Sequence, residues 1–381
     1  MFVMGSLTGA VGPLVVAMTR FFELPLSRAA LPVVFDTAGY FAGTLLTSFF
    51  WRLDLARLIL SLSSLFLVVT LTGIVGLHQH FGLLLGLLFV LGLMSGFFSV
   101  GIDALFSEIY HRQRARFLTL SHLFFGIGAF SGPLVVVVVM SLSDGAWHLF
   151  YLVMGLLSLP LVWNFPRIRD RRLRRSGSDT GRRERPRRIR EPMGSMPFWF
   201  CMAIMFLVLG MEVTFISWTP LYLTEVRHIP ETIASYCISI FWLALIFGRM
   251  VFYRFSTHIH LIGALTGGSL GTALFMGCVY VPQGRVVLML FAAAAGLLYS
   301  ALYPNVLAAG AGFYPRQVGF VTGAVSTSGA VGCIFFPWVM GPITEWVGLM
   351  NSVYMIPVMG LLMAAATVPL YFFNMTKGDV Q

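Results

Sequence analysis

Three acidic side chains stand inside stretches that are otherwise almost free of charge. They are Asp36, Asp103 in FFSVGIDALFSEIYHRQR, and Glu212 in MFLVLGMEVTFISW. If those stretches cross a bilayer, each ionised group costs about 2.5–3.5 kcal/mol at a helix centre, so each calls for a function or a partner. A carboxyl in apolar surroundings can be protonated and deprotonated in turn, because burial penalises its charged form. Glu212 follows Gly210 and precedes Trp218 and Tyr222, a carboxylate with aromatic platforms beyond it. That grouping can accept hydroxyl hydrogens and stack a ring, or the acid can bond a neighbouring helix. Asp36, beside Thr37 and Gly39, can line an outer vestibule, take a proton, or pair with Arg28. Asp103 is either a proton or gating group or the salt-bridge partner of Arg112 or Arg116. Glu108, five residues on, lies at a helix end and can face water. His122, with an unperturbed pKa of about 6.5, is a candidate relay or a packing residue. Asn305 follows Pro304, where the proline frees backbone groups beside a midspan amide that can contact a polar ligand. Arg249, in FGRMVFYRF, either snorkels to the interface or serves a gate.

The elements that must hold these residues follow from composition. The chain has 381 residues, 58% hydrophobic and only 10% charged. A soluble domain carries about 25% charged residues, so a water-soluble globular enzyme is excluded. The 35 Phe and 39 Gly suit helices packed in lipid, with bulk toward acyl chains and small residues where backbones meet. A spanning helix needs about 20 apolar residues. Twelve such segments are expected, near 1–20, 29–51, 57–77, 82–108, 116–141, 147–164, 197–223, 232–253, 259–281, 286–309, 317–341 and 347–373. The predicted fold class is an all-α membrane protein of two six-helix, pseudo-symmetric halves, 1–164 and 196–381, joined by a basic cytoplasmic loop over 165–195. Met1 runs into apolar sequence without a basic segment, so the first helix is expected to be a retained span.

The formal net charge of +10 is concentrated: twelve arginines lie between Arg167 and Arg190, and Lys377 is the only lysine. No aromatic reader is interleaved with them, so nucleic acid is not expected as a partner. With both termini inside, 21 Lys and Arg fall on the cytoplasmic side and four outside, the bias that orients membrane proteins. Four scattered cysteines form no zinc or disulfide pattern. No glycine-lysine phosphate loop supports ATP-driven work, and neither a cofactor nor a metal is implied.

An internal repeat runs through the chain at an offset of 204. Tyr110, Arg112, Gln113, Gly128 and Pro133 match Tyr314, Arg316, Gln317, Gly332 and Pro337, and Gly92 matches Gly296. Two duplicated halves are the pattern of a transporter that rocks around a midplane site. Gly126, Gly128, Gly132 and Pro133, with Gly332 and Pro337 in the second copy, place small residues and a bend where helices must pack and part.

On these features the sequence resembles the major facilitator superfamily over essentially its whole length. TLSHLFFGIGAFSGPL (119–134) and GMEVTFISWTPLYL (210–223) are similar to segments of fucose-permease-like sugar:proton symporters. The resemblance implies a monomeric, multi-pass secondary transporter of the inner or plasma membrane, working by alternating access. Its partners would be a small solute, protons and the bilayer. Glu212, Asp36, Asp103 and His122 would carry protons. Glu212, Trp218, Tyr222 and Asn305 would bind a sugar-like solute between the halves, and Arg52, Arg57, Glu108, Arg112 and Arg249 would gate. The family's loop signature is incomplete, since GTLLTSFFWRLDLARL (43–58) keeps Gly43, Arg52 and Arg57 but displaces Asp54. Gly128-x-x-x-Gly132-Pro133 also resembles part of an antiporter motif, which keeps proton-driven export of amphipathic compounds open as the alternative.

Overall fold

The computed structural model describes residues 1–50, 56–109, 114–165, 190–255, 261–314 and 318–378. Arg52 and Arg112 lie outside the described residues. Arg57, Asp103, Glu108 and His122 stand on described helices, but their side chains are outside the described set. Among the described residues the fold is all helix, with no strand. The chain forms two compact units, Met1–Glu184 and Arg185–Gln381.

The first unit contains α1 (Phe2–Gly9), α2 (Val11–Phe21), α3 (Leu26–Ala29), α4 (Leu31–Phe50), α5 (Ala56–Leu77), α6 (Phe81–Ile109), α7 (Arg114–Leu142) and α8 (Leu149–Asn164). The second contains α9 (Arg190–Met193), α10 (Met196–Glu225), α11 (Glu231–Phe255), α12 (Leu261–Tyr280), α13 (Arg285–Tyr299), α14 (Leu302–Phe313), α15 (Val318–Val347), α16 (Leu349–Ser352) and α17 (Met355–Gly378).

The expected twelve spans are not reproduced helix for helix. Among the described residues ten helices are long and apolar enough to cross a membrane, and α1 with α2 makes an eleventh if the bent pair is one span. That pair bends by 51°. Pro13 has no N–H to offer the Gly9 carbonyl, and its ring presses on it, so the helix breaks at Ala10. The sixth expected span, 147–164, is a helix of only 16 residues, α8.

The burial pattern fits a lipid solvent. On α5, Leu58, Leu62, Leu65, Phe66 and Val69 repeat at helical spacing and are exposed, while Leu60, Leu67, Leu71 and Ile74 on the other face are fully buried.

The repeat appears as matched helix pairs. In the first unit α1 packs on α7 and α4 on α6; in the second, α10 packs on α15 and α11 on α13. Glycine makes each pairing possible. A methyl group placed on Gly128 would stand 2.0 Å from the Phe2 carbonyl oxygen, and one on Gly332 would stand 2.1 Å from that of Phe206. Gly92 meets Asp36 O at 1.9 Å and Gly296 meets Phe241 O at 2.2 Å in the same sense. The two glycine pairs found by sequence offset thus occupy equivalent helix contacts. Gly132 faces the Ser6 carbonyl, and Gly126 is buried. Pro133 lies inside α7 and Pro337 inside α15. Pro133 leaves the Ala129 carbonyl without its helical donor, and Gly9 packs directly over that oxygen.

A side chain at these contacts must push two backbones apart, an overpacking that costs about 1–3 kcal/mol or more. Gly92→Val and Gly128→Val are each expected to lower the thermal unfolding midpoint by several degrees. Gly86→Val, where an added methyl meets nothing within 4 Å, should leave it unchanged.

Candidate functional site

Glu212 sits near the middle of α10, and three neighbouring helices bring polar groups to it. The Tyr299 hydroxyl, at the end of α13, donates to Glu212 Oε2 at 2.5 Å and lies 3.2 Å from the Val208 carbonyl. The Arg249 charge, from α11, acts on both Glu212 and Tyr299, and Cys333 of α15 is within electrostatic reach of the carboxyl. Each of these four residues lies beside a glycine that brings its helix close. Gly210 packs under the Phe336 ring, and Gly248 on Ser300 and the Leu297 carbonyl. Gly296 packs on Phe241, and Gly332 on Phe206. The carboxyl and the phenol are thus in hydrogen-bond contact, with the guanidinium and the thiol at longer electrostatic range.

The sequence reading singled out Glu212 and Arg249 but missed Tyr299. Tyr299 is a phenol flanked by Gly296 and Ser300 in an alanine-rich helix, just before Pro304, a setting that marks a helix break but names no partner. That proline has no N–H for the Ser300 carbonyl, and the segment turns at Ser300–Ala301 between α13 and α14. Asn305 stands on α14, 3% exposed, and its Nδ2 has no hydrogen-bond partner among the described residues.

Trp218 and Tyr222 are buried in the same unit, about 9 and 15 Å along α10 from Glu212 at 1.5 Å per residue. The Tyr222 hydroxyl donates to the Tyr280 carbonyl at 2.8 Å, and the Tyr280 hydroxyl bonds Thr219 at 2.7 Å, fastening this end of α10 to α12. No hydrogen bond joins Glu212 to Trp218, Tyr222 or Asn305 among the described residues.

In the first unit Asp36 lines a cavity of about 30 Å³ with Tyr151, Leu14, Val33, Leu88 and Leu91 among its walls. That volume is about the share of one water molecule in the liquid. The pairing of Asp36 with Arg28 that the sequence allowed does not form among the described residues.

One cluster had no short-range signal at all. His78 and His148, seventy residues apart in sequence, stack with ring centroids 3.7 Å apart and planes at 11°. Trp147 meets both edge-on. His78 Nδ1 is 2.8 Å from the Val75 carbonyl, whereas His148 Nδ1 is buried without a partner among the described residues.

The sequence profile of the Major Facilitator Superfamily matches residues 1–284. The chain belongs to the Major Facilitator Superfamily. As a member of that superfamily it is a multi-pass membrane transporter of small solutes, of the alternating-access type, and not an enzyme. Among curated relatives it is similar to the TsgA homolog of Buchnera aphidicola subsp. Baizongia pistaciae, 22% identical over 91% of this chain and 87% of that one. The TsgA homolog of Serratia proteamaculans is 24% identical, over 89% and 84%. Among solved structures, a point mutant of the nucleoside transporter NupG aligns with a TM-score of 0.69 at 16% identity, covering 98% of this chain and 97% of that one. A bacterial homolog of the human lysosomal transporter Spinster, in an inward-facing and occupied conformation, aligns at 0.68 with 12% identity over 97% and 94%.

Burial and the adjacent His78 ring hold the His148 imidazole below its usual pKa. A histidine lowered on folding is protonated more readily in the unfolded chain, so its linkage destabilises the fold as pH falls through about 6.5 toward the folded value. The thermal midpoint is therefore expected to fall on acidification across that window. His148→Gln should flatten that part of the wild-type profile, as measured by the difference between the two melting curves at each pH.

Proposed function

We propose that this superfamily member is a proton-coupled symporter of a small polar, sugar-like solute, and that Glu212 is its coupling carboxyl. The observation that carries the reading is the Glu212–Tyr299 hydrogen bond of 2.5 Å, with Arg249 in reach, in the middle of an apolar helix. A carboxyl so placed has a hydrogen-bond donor to serve it when ionised and a guanidinium at longer electrostatic range, and as a neutral acid it carries no charge into the apolar surroundings. It can therefore exist in both states, which coupling requires. Asp36 beside its small cavity, Asp103 and His122 are further stations for the proton. Asn305 offers an unpartnered buried amide donor, the group that a solute hydroxyl would complete. Trp218 and Tyr222 supply the aromatic wall, and Arg52, Arg57, Glu108, Arg112 and Arg249 serve the gates.

In this reading the protein is a monomer in a bacterial inner membrane with both termini in the cytoplasm. Residues 1–164 and 196–381 form the transporting halves, and 165–195 form the basic linker held inside by its arginines. The relatives in Buchnera and Serratia are bacterial proteins, and one solved protein of this fold is a nucleoside transporter, which supports a polar cargo.

The test is uptake into proteoliposomes under an imposed proton gradient, with sugars, nucleosides and organic acids offered as solutes. Uphill uptake is expected to fall at least tenfold in Glu212→Gln while gradient-free exchange persists. An unchanged pH profile of uptake in that variant removes the assignment. Extrusion of hydrophobic dyes that stops with an uncoupler would replace symport by drug–proton antiport. Asn305→Ala should raise the solute KM by about 2–10-fold, the value of one hydrogen bond of 0.5–1.5 kcal/mol.

A further inference from the structure

The Tyr299 hydroxyl reaches two oxygens of one helix, Glu212 Oε2 at 2.5 Å and the Val208 carbonyl at 3.2 Å. A phenol has one hydrogen to donate, and its oxygen can also accept. Two arrangements therefore satisfy the three groups. With Glu212 ionised, Tyr299 donates to the carboxylate. With Glu212 protonated, the carboxyl O–H donates to Tyr299 Oη, and Tyr299 turns its hydrogen to the Val208 carbonyl. That carbonyl already accepts the helical N–H of Glu212 and has a second lone pair free. The proton balance is simple: one proton from water adds to the carboxylate, and the phenol keeps its own throughout.

We propose that Tyr299 is a positioning residue that turns proton occupancy of Glu212 into a hydrogen-bond exchange at the interruption between α13 and α14. The inference rests on the reading of Glu212 as the coupling carboxyl and deepens it. The ring itself is fixed: it is buried and packs on Phe241 with centroids 5.9 Å apart, so the exchange moves the hydroxyl hydrogen rather than the side chain. Its place in the chain gives the exchange a consequence. Tyr299 is the last residue of α13, and Pro304 leaves the following Ser300 carbonyl without its helical donor. The backbone there is held by fewer bonds than an unbroken helix, and Asn305, with its unpartnered amide, lies just beyond. Protonation would thus be registered at the point where the solute is expected to bind.

The side chains that act on Glu212 are Tyr299 from α13 and Arg249 from α11, and Cys333 from α15 is in turn within reach of its charge. Neither the phenol nor the thiol needs to lose its proton in the exchange.

The experiment is pH-difference infrared spectroscopy on the full chain in lipid bilayers, with isotope-labelled tyrosine to identify the phenol C–O band. The expected result is a carboxyl band, lost in Glu212→Gln, that titrates together with a shift of one tyrosine band. The tyrosine shift should vanish in both Glu212→Gln and Tyr299→Phe. The carboxyl band of Tyr299→Phe, which keeps the ring and its packing, should persist at an altered frequency. A carboxyl that titrates while the tyrosine bands stay still overturns the inference and leaves Glu212 as a proton site. A carboxyl that never changes state overturns both. If the variants do not fold, the joint movement of the two bands in the wild-type protein still decides between these outcomes.

Discussion

Backbone meeting backbone at glycine is the contact on which this structure depends. Water expels apolar side chains and so drives soluble helices together, but lipid tails are as apolar as leucine and provide no such force. What remains is close packing and the hydrogen bonds that close packing allows. At Gly92, Gly128, Gly296 and Gly332 the approach is so near that a single methyl group would overlap a carbonyl oxygen of the facing helix. The same four positions define the internal duplication, so the repeat carries a packing device and not merely a motif. The exposed Leu and Phe stripes of α5 face outward because nothing in the bilayer penalises them there.

The cluster around Glu212 follows from that packing. A carboxyl at this depth is expensive if isolated; Gly210 and Gly332 close α10 on α15, Gly248 and Gly296 close α11 on α13, and Tyr299 bonds the carboxyl from the second pair. The site is therefore as precise as the helix contacts that frame it. Replacing the tyrosine partner would leave the acid with an unserved oxygen in low dielectric, where an unpaired polar group is most costly.

Much of the fold was legible in sequence because the governing signals are local or periodic: apolar length and the 204-residue register both survive without coordinates. Glu212 was legible as a lone acid in an apolar helix. Its partner was not, because Tyr299 lies 87 residues away and a buried phenol has no spacing rule that links it to a carboxylate. Three roles were open for Asp36; among the described residues the pairing with Arg28 does not form and the carboxyl lines a small cavity with Tyr151, a choice made by tertiary packing. The stacked His78 and His148 rings belong to the same class of long-range contact. The twelve-span count was read from composition alone, and composition does not register that Pro13 breaks α1 from α2 or that α8 is short.

The brevity of α8 has a consequence for the surrounding lipid. Sixteen helical residues rise about 24 Å, against a hydrocarbon layer of about 30 Å. Acyl chains beside this helix must compress by several ångströms or leave polar turns facing oil, and mismatch costs fractions of a kcal/mol per ångström. Trp163, exposed one residue from the helix end, carries the amphipathic ring that favours the headgroup level and marks where that thinned boundary sits. This flank of the protein therefore prefers a thin membrane, and bilayer thickness becomes a variable that acts on it.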